Sequence, residues 1–164
     1  MIKQHTALQI PAFLFGLLAA GILMISGCKA KQYPQTAELT YNSNPVAGVI
    51  AVTALGYGRN IKKADHDAFR TAFENILFQG VPGFEPLELP MVSQADGAES
   101  NRSFFDRFFE EGTYLRFVSR QEEAVEIGKV EGSRNIIVSK SMNINYRALK
   151  KHLQQQGTVR KFGY

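Results

Sequence analysis

One residue in the chain has chemistry that its neighbours make specific, and it is Cys28. It is the only cysteine among 164 residues, and it follows Gly27 at the end of an uncharged, largely apolar run. A signal peptidase that acts on lipoproteins needs a hydrophobic segment that inserts into the bilayer and small side chains beside the cleaved bond. The sequence therefore predicts cleavage between Gly27 and Cys28. It also predicts attachment of diacylglyceryl and palmitate-type acyl chains to the cysteine.

The first 27 residues fit such a leader. Lys3 is the only Lys, Arg, Asp or Glu among them, and the apolar part spans only residues 12–25, whereas a membrane-spanning helix needs about 20 residues. An uncleaved membrane anchor is the alternative, and either interpretation places the rest of the chain outside the cytoplasm. Lys29 rather than aspartate follows the cysteine. In this the chain resembles bacterial lipoproteins sent to the outer membrane, where the domain would face the periplasm.

Other residues that could do chemistry are few. Asp65, His66 and Asp67 are consecutive, but successive helical residues point about 100° apart and cannot converge on one metal ion. We therefore expect a solvated helix start there. His152 has no acid beside it in sequence, and neither a Gly-x-Ser-x-Gly nor a His-Glu-x-x-His motif occurs. The sequence predicts no catalytic residue, no metal site and no cofactor.

Nucleotide and nucleic-acid binding are also disfavoured. The stretch Gly56-Tyr57-Gly58-Arg59-Asn60-Ile61 has isoleucine where a dinucleotide fingerprint needs its third glycine. A phosphate loop would need Gly-Lys-Ser/Thr, which does not follow. The net charge of +4 is far from the balance of a nucleic-acid binder.

The elements around these residues predict one α+β domain over residues 46–164, preceded by a tether over residues 28–45. The tether is polar, contains two prolines and lacks periodicity. We expect a small antiparallel or mixed sheet packed against two to three helices. Strands are predicted over 46–55, 114–119 and 135–144, helices over 61–78, 101–111 and 146–155, a loop over 84–100, a hairpin arm or loop over 121–131 and an edge strand within 158–164.

Two surfaces are candidates for interaction. Phe104, Phe105, Phe108 and Phe109 lie within six positions of a short predicted helix. They fit either a lid over the core, which we favour, or an exposed docking surface. Lys150 and Lys151 belong to a basic C-terminal stretch without acids. That stretch fits either a solvated helix face or a contact with anionic groups such as lipid headgroups.

A family resemblance rests on three stretches. The run Thr53 to Asn60, the Ala-rich helix after it, and the ending from Asn143 to Leu153 resemble the LPP-twenty-type lipoproteins and the N-terminal domain of flagellar assembly protein T. The Phe-rich helix departs from the flagellar proteins. Residues 77–83 and 157–164 are similar to a group of uncharacterised bacterial lipoproteins. The resemblance implies a strand that leads through Gly-x-Gly into a helix, and it carries over no catalytic residue.

These observations predict a membrane-anchored envelope lipoprotein that acts as a non-enzymatic interaction or assembly module with an envelope protein partner. A carrier of a small apolar ligand, with the Phe-rich helix as a pocket wall, is the first alternative. An envelope hydrolase with dispersed catalytic residues is the second.

Overall fold

A computed structural model describes residues 38–92 and 101–159 of the chain, and these residues form an α+β domain. Its sheet has five strands; two helices follow the first two strands along the sequence, and a third helix follows the last three. In chain order the elements are β1 Leu39–Val46, β2 Val49–Gly58, α1 Ile61–Phe78, α2 Arg102–Glu110, β3 Val118–Gln121, β4 Val125–Lys129, β5 Ile136–Ile144 and α3 Tyr146–Gln155.

Every strand pairing is antiparallel. The order is β1-β2-β5, with β3 and β4 both pairing with the far side of β5 at different heights. The central pair β2 and β5 runs without interruption from Ile50 beside Ile144 to Gly58 beside Ile136. Its two ends are the reference points for the site. We call the end at Gly58 the proximal end and the end at Ile50 the distal end.

One face of the sheet is covered by α1. Ala64, Ala68 and Ala72 are fully buried there, and small side chains let a helix axis come close to a sheet. Gly56 meets them: a Cβ at this position would collide with the Ala64 carbonyl and lie 2.8 Å from the Ala68 Cα. The glycine is therefore required by close backbone approach, and the predicted helix over 61–78 is confirmed.

The other two helices close the core around α1 and the distal end. Phe105 of α2 contacts Phe78 of α1, with ring centroids 5.0 Å apart. In α3, Leu149 and Leu153 are fully buried, and the Asn145 side chain caps the helix by accepting from the Ala148 N–H at 2.9 Å. The predicted helix over 146–155 is confirmed.

Two boundaries predicted from sequence are wrong. The tether does not extend to residue 45, because β1 already begins at Leu39. Because β1 contains bulges and a proline, its side chains do not alternate regularly, and the sequence pattern does not reveal the strand. The predicted strand over 114–119 is instead a 3-10 helix, Thr113–Phe117, followed by β3. Tyr114 is fully buried there and turns inward against Phe73 and Phe109.

Of the remaining predictions, some are confirmed and others differ from the structure at their boundaries. The strand over 135–144 and the helix over 101–111 are confirmed within a residue or two, and the undecided segment 121–131 contains β4. The strand placed over 46–55 begins at Val49 and runs on to Gly58. The loop over 84–100 contains a 3-10 turn, Glu85–Leu87, and residues 93–100 lie outside the described part. Residues 160–164, where an edge strand is predicted, also lie outside it.

Candidate functional site

The second face of the sheet is covered by no helix of the described residues. Along β2 and β5, alternate residues are buried under α1 while those between them are only half-buried. We call the second face the open face.

Small polar side chains occupy the distal half of the open face. The Asn42 amide donates to the Thr53 hydroxyl at 2.8 Å, and the Thr53 and Ser141 hydroxyls lie 3.0 Å apart. This row links β1, β2 and β5 across the sheet. Beside it is a surface concavity of about 240 Å³, whose lining includes Arg120 and Asn143.

Apolar side chains occupy the proximal half. The register places Leu55 and Val125 on either side of Ser139, and Tyr57 beside Ile137. Val125 is 60% exposed, and Ile127, at the bulge of β4, is 56% exposed. Grouped apolar side chains on a sheet face are typical of contact surfaces. We call this group the apolar half of the open face.

The four phenylalanines of α2 lie elsewhere, on the helical side. Phe105, Phe108 and Phe109 are buried and Phe104 is half-buried. The predicted lid over the core is confirmed in kind, although it covers the helices and the 3-10 helix rather than the sheet. An exposed docking surface formed by all four is wrong.

His152 of α3 lies against that aromatic cluster. Its ring centroid is 5.5 Å from that of Phe117 and 6.3 Å from those of Phe104 and Phe108. Its Nδ1 lies 3.4 Å from an Arg116 nitrogen. Burial lowers the pKa of His152, and the Arg116 charge lowers it further. Both causes favour the neutral imidazole, so His152 acts here as an aromatic packing group.

The three consecutive residues Asp65, His66 and Asp67 point to three different partners. Asp65 forms an ion pair with Lys140, Oδ1 to Nζ, at 2.7 Å. His66 Nε2 lies 3.4 Å from the Tyr114 hydroxyl. The prediction that they do not converge on a metal is consistent with this geometry. His66 is exposed, as expected of a solvated helix start, while Asp65 and Asp67 are half-buried. Each residue fastens α1 to another element.

Lys140 is a buried charged residue of β5. It is 4% exposed, points toward α1 from β5, and lies 4.8 Å from the centroid of the Phe69 ring. Lys140 occupies one of the buried positions that alternate along β5. The sequence signal for this buried charge is Asp65, an acid one turn into the facing helix.

Glu38 and Tyr57 form a second unforeseen contact, at the proximal end. Glu38 is 6% exposed, burial raises the pKa of its carboxyl, and its hydrogen bond with the Tyr57 hydroxyl partly offsets that rise. Burial, followed by the contact with Glu38, raises the pKa of Tyr57 to about 12. The Asp67 carboxylate accepts the Tyr57 backbone N–H at 3.0 Å, three residues beyond the last pairing of β2 with β1 at Ala54. Glu38 thus fixes the point at which the chain enters the domain.

The predicted basic pair occupies the distal side. Lys151 is exposed and Lys150 half-buried, and α3 begins beside Gly48, whose carbonyl accepts the Arg147 N–H at 3.2 Å. The proximal end has a basic group of its own at the start of α1. Lys62 and Lys63 line a surface concavity there together with Asn60 and His66.

Cys28 and Gly27 lie outside the described residues, so the predicted lipidation and cleavage remain predictions. Among residues 38–92 and 101–159, no group of three or more His, Cys, Asp and Glu side chains could hold a metal ion. No helix within these two ranges has the length and apolarity needed to cross a membrane.

Comparison with known proteins leaves the chain without an assigned family: no family model matches it, no curated protein matches it, and no solved structure matches it.

Proposed function

We propose that the protein is a membrane-anchored lipoprotein of the bacterial cell envelope and that its α+β domain is a non-enzymatic interaction or assembly module. The observation that carries the proposal is the open face. A five-stranded sheet with its helices on one side presents the other side to a partner, and the apolar half of that face offers the contact.

The composition of the open face supports a protein partner rather than a small ligand. The side chains of the apolar half stand on adjacent strands, side by side in the register of β2, β5 and β4. Small-molecule sites are concave and bury most of their ligand. The phenylalanines proposed as a pocket wall pack instead against one another and against Tyr114.

The anchor is tested by Cys28→Ser. The variant should accumulate as a precursor longer by the 27-residue leader and should no longer incorporate a palmitate analogue. Gel mobility and labelling in growing cells measure both. A variant that is still processed and labelled would exclude Cys28 as the anchor. The outer membrane, facing the periplasm, is the membrane we propose, and fractionation of the labelled wild type checks it.

The docking surface is tested by photocrosslinking in cells. A photoreactive residue replaces Val125 on the apolar half, and Glu110 on the exposed side of α2 is the matched control. A discrete crosslinked product should form from position 125 and disappear when Leu55→Asp is added. Products of equal yield from both positions, or a product insensitive to Leu55→Asp, would count against the open face.

A further inference from the structure

We propose that the proximal end of the domain rests on the anionic lipid headgroups of the membrane that holds the anchor. This inference rests on the proposed lipid anchor and adds the orientation of the domain. The occupant of the surface is a bilayer, and three observations on the described residues lead to it.

The first observation is the point of entry of the chain. Leu39 pairs with Ala54, and the Glu38 carboxyl reaches the Tyr57 hydroxyl. The chain therefore enters β1 on the proximal side of the midpoint of β2, at Glu38. Nine residues lie between Cys28 and Glu38, and the ten steps from one to the other span at most about 35 Å at full extension. The lipid must lie within that distance of Glu38.

The second observation is the side chains at that end. Arg59, Lys62 and Lys63 are all exposed around the start of α1. Ile61 stands among them and is 51% exposed. Basic residues around an exposed apolar side chain match a bilayer surface, where cations meet the headgroups and the apolar group enters the interface.

The third observation extends the basic surface across the sheet. β4 pairs Lys129 with Ile136, and Ile136 pairs with Gly58. The turn from β4 to β5 is thus at the proximal end, and its exposed Arg134 adds a second cation to that of Lys129. One exposed acid, Glu131, stands in the same turn. The acids nearest the start of α1 are engaged inside the domain: Asp65 by Lys140 and Asp67 by the Tyr57 N–H.

The distal end lacks this relation to the anchor. Lys151 precedes His152, which contacts Phe117, and the next residue, Val118, pairs with Ile144. About 26 Å of strand separate the two ends, at about 3.3 Å per residue from Ile50 to Gly58. The pair Lys150 and Lys151 is therefore a natural control for the proximal lysines, with the same charge and chemistry.

This orientation leaves the open face available. The strands run from the proximal to the distal end, so a domain that stands on its proximal end has its sheet upright on the membrane. The apolar half then faces sideways, where a second envelope protein can reach it. The same anchor would therefore concentrate the module at the bilayer and orient its contact surface.

The experiment uses the full-length protein purified from membranes and reconstituted into vesicles of equal parts phosphatidylcholine and phosphatidylglycerol. Because Cys28 is then blocked by lipid, an introduced cysteine is the only free thiol. A fluorophore is placed at Ile61→Cys at the proximal end or at Leu89→Cys, an exposed site beyond the end of α1. Quenching by lipids with a headgroup spin label reports contact with the surface.

We expect loss of fluorescence from position 61 and not from position 89. The loss should diminish in 1 M salt, where the screening length is about 3 Å, compared with 0.1 M, where it is about 10 Å. Lys62→Gln/Lys63→Gln should reduce it, and Lys150→Gln/Lys151→Gln should not. Vesicles of phosphatidylcholine alone should give less quenching than the anionic mixture.

Each other outcome overturns the proposal. Equal quenching at positions 61 and 89, no quenching while the protein stays with the vesicles, or insensitivity to salt and to the proximal substitutions would show that the proximal end does not rest on anionic lipid. That result would not contradict the proposed lipid-anchored interaction module. Labelling of the parent protein at Cys28, together with failure to sediment with vesicles, would instead remove the anchor and this inference with it.

Discussion

The two faces of the sheet, the inner face under α1 and the outer or open face, are stabilised by different kinds of contact. On β2, the buried Ile50, Val52 and Ala54 alternate with Ala51 and Thr53, which no helix of the described residues covers. The inner face is fitted to α1 at the level of backbone atoms. The outer face is held by hydroxyl and amide contacts between short side chains. An added atom should therefore lower the stability of the domain on the inner face and change it little on the open face. The open face can accordingly exchange its side chains without loss of the fold.

The largest expected effect is on the inner face. Gly56→Ala places a methyl group against the Ala64 carbonyl and the Ala68 backbone, where neither the helix nor the strand can yield locally. We expect a loss of unfolding free energy of about 3 kcal/mol or more, the upper end of overpacking. Urea denaturation measures it.

Gly128→Ala on β4 is the matched control, because its new Cβ meets nothing within 4 Å. It should change stability by no more than about 0.5 kcal/mol. Similar losses from the two variants would mean that α1 does not approach the sheet as closely as the structure has it.

A second prediction concerns the charge that the inner face contains. Removing one partner of a buried ion pair leaves the other without compensation, whereas replacing a buried ion by an apolar chain of similar length is often neutral. Asp65→Ala leaves Lys140 in the core without its carboxylate and should cost about 1–3 kcal/mol. Lys140→Met keeps the packing on Phe69 and should cost less.

Thermal and urea unfolding of the two single variants and of the double variant measure the coupling. Lys140→Met should recover most of the loss caused by Asp65→Ala. A double variant as unstable as the sum of the singles would show that the two side chains do not interact.

The third prediction is a pH dependence at the edge of the helical side. The folded pKa of His152 lies below its unfolded value of about 6.5, so the unfolded chain binds the proton more readily. The stability from neutral His152 is complete above about pH 6.5 and declines as the pH falls through the folded pKa. The groups that face the imidazole are the Phe104, Phe108 and Phe117 rings and the Arg116 cation.

Comparison with His152→Gln isolates this contribution from that of the carboxyls. The wild type should lose stability relative to the variant as the pH is lowered from 7 toward 5, and Arg116→Gln should make that loss smaller. NMR titration of the imidazole measures the pKa directly. A folded pKa at or above 6.5 would contradict the placement of the ring.

Sequence reasoning recovered the inner face better than the outer one, for a physical reason. Burial under a helix imposes periodicity, so α1, α3 and β5 were predictable from spacing alone. β1 was not, because an edge strand with bulges and Pro45 carries no alternation. The segment Thr113–Phe117 was not predictable either, because its three apolar side chains fit a short strand as well as a 3-10 helix.

The candidate site depended on pairings that spacing cannot reveal. Leu55, Val125 and Ile137 come from three strands, and only the register of β5 brings them together. The contact of Glu38 with Tyr57 joins two segments that were assigned to different regions of the chain. Cys28 was predictable because its chemistry depends on local sequence.

The smallest expected effect is on the distal half of the open face. Thr53→Val keeps the shape and β-propensity of the side chain while it removes the hydroxyl that links Asn42 to Ser141. Because these polar groups are half-buried and water can replace the lost partner, the cost should stay within about 0.5–1 kcal/mol. The inner neighbour Val52 is the matched comparison: Val52→Thr puts a hydroxyl into the fully buried core and should cost about 1–3 kcal/mol, since burial of a hydroxyl without a partner is penalised. Thr53→Val and Val52→Thr exchange the same two residue types at adjacent positions. The difference between their losses of stability therefore reports the environment of each face. If Thr53→Val destabilised the domain as much as Val52→Thr, the open face would have to be covered in the folded protein, and the crosslink expected at position 125 should fail as well.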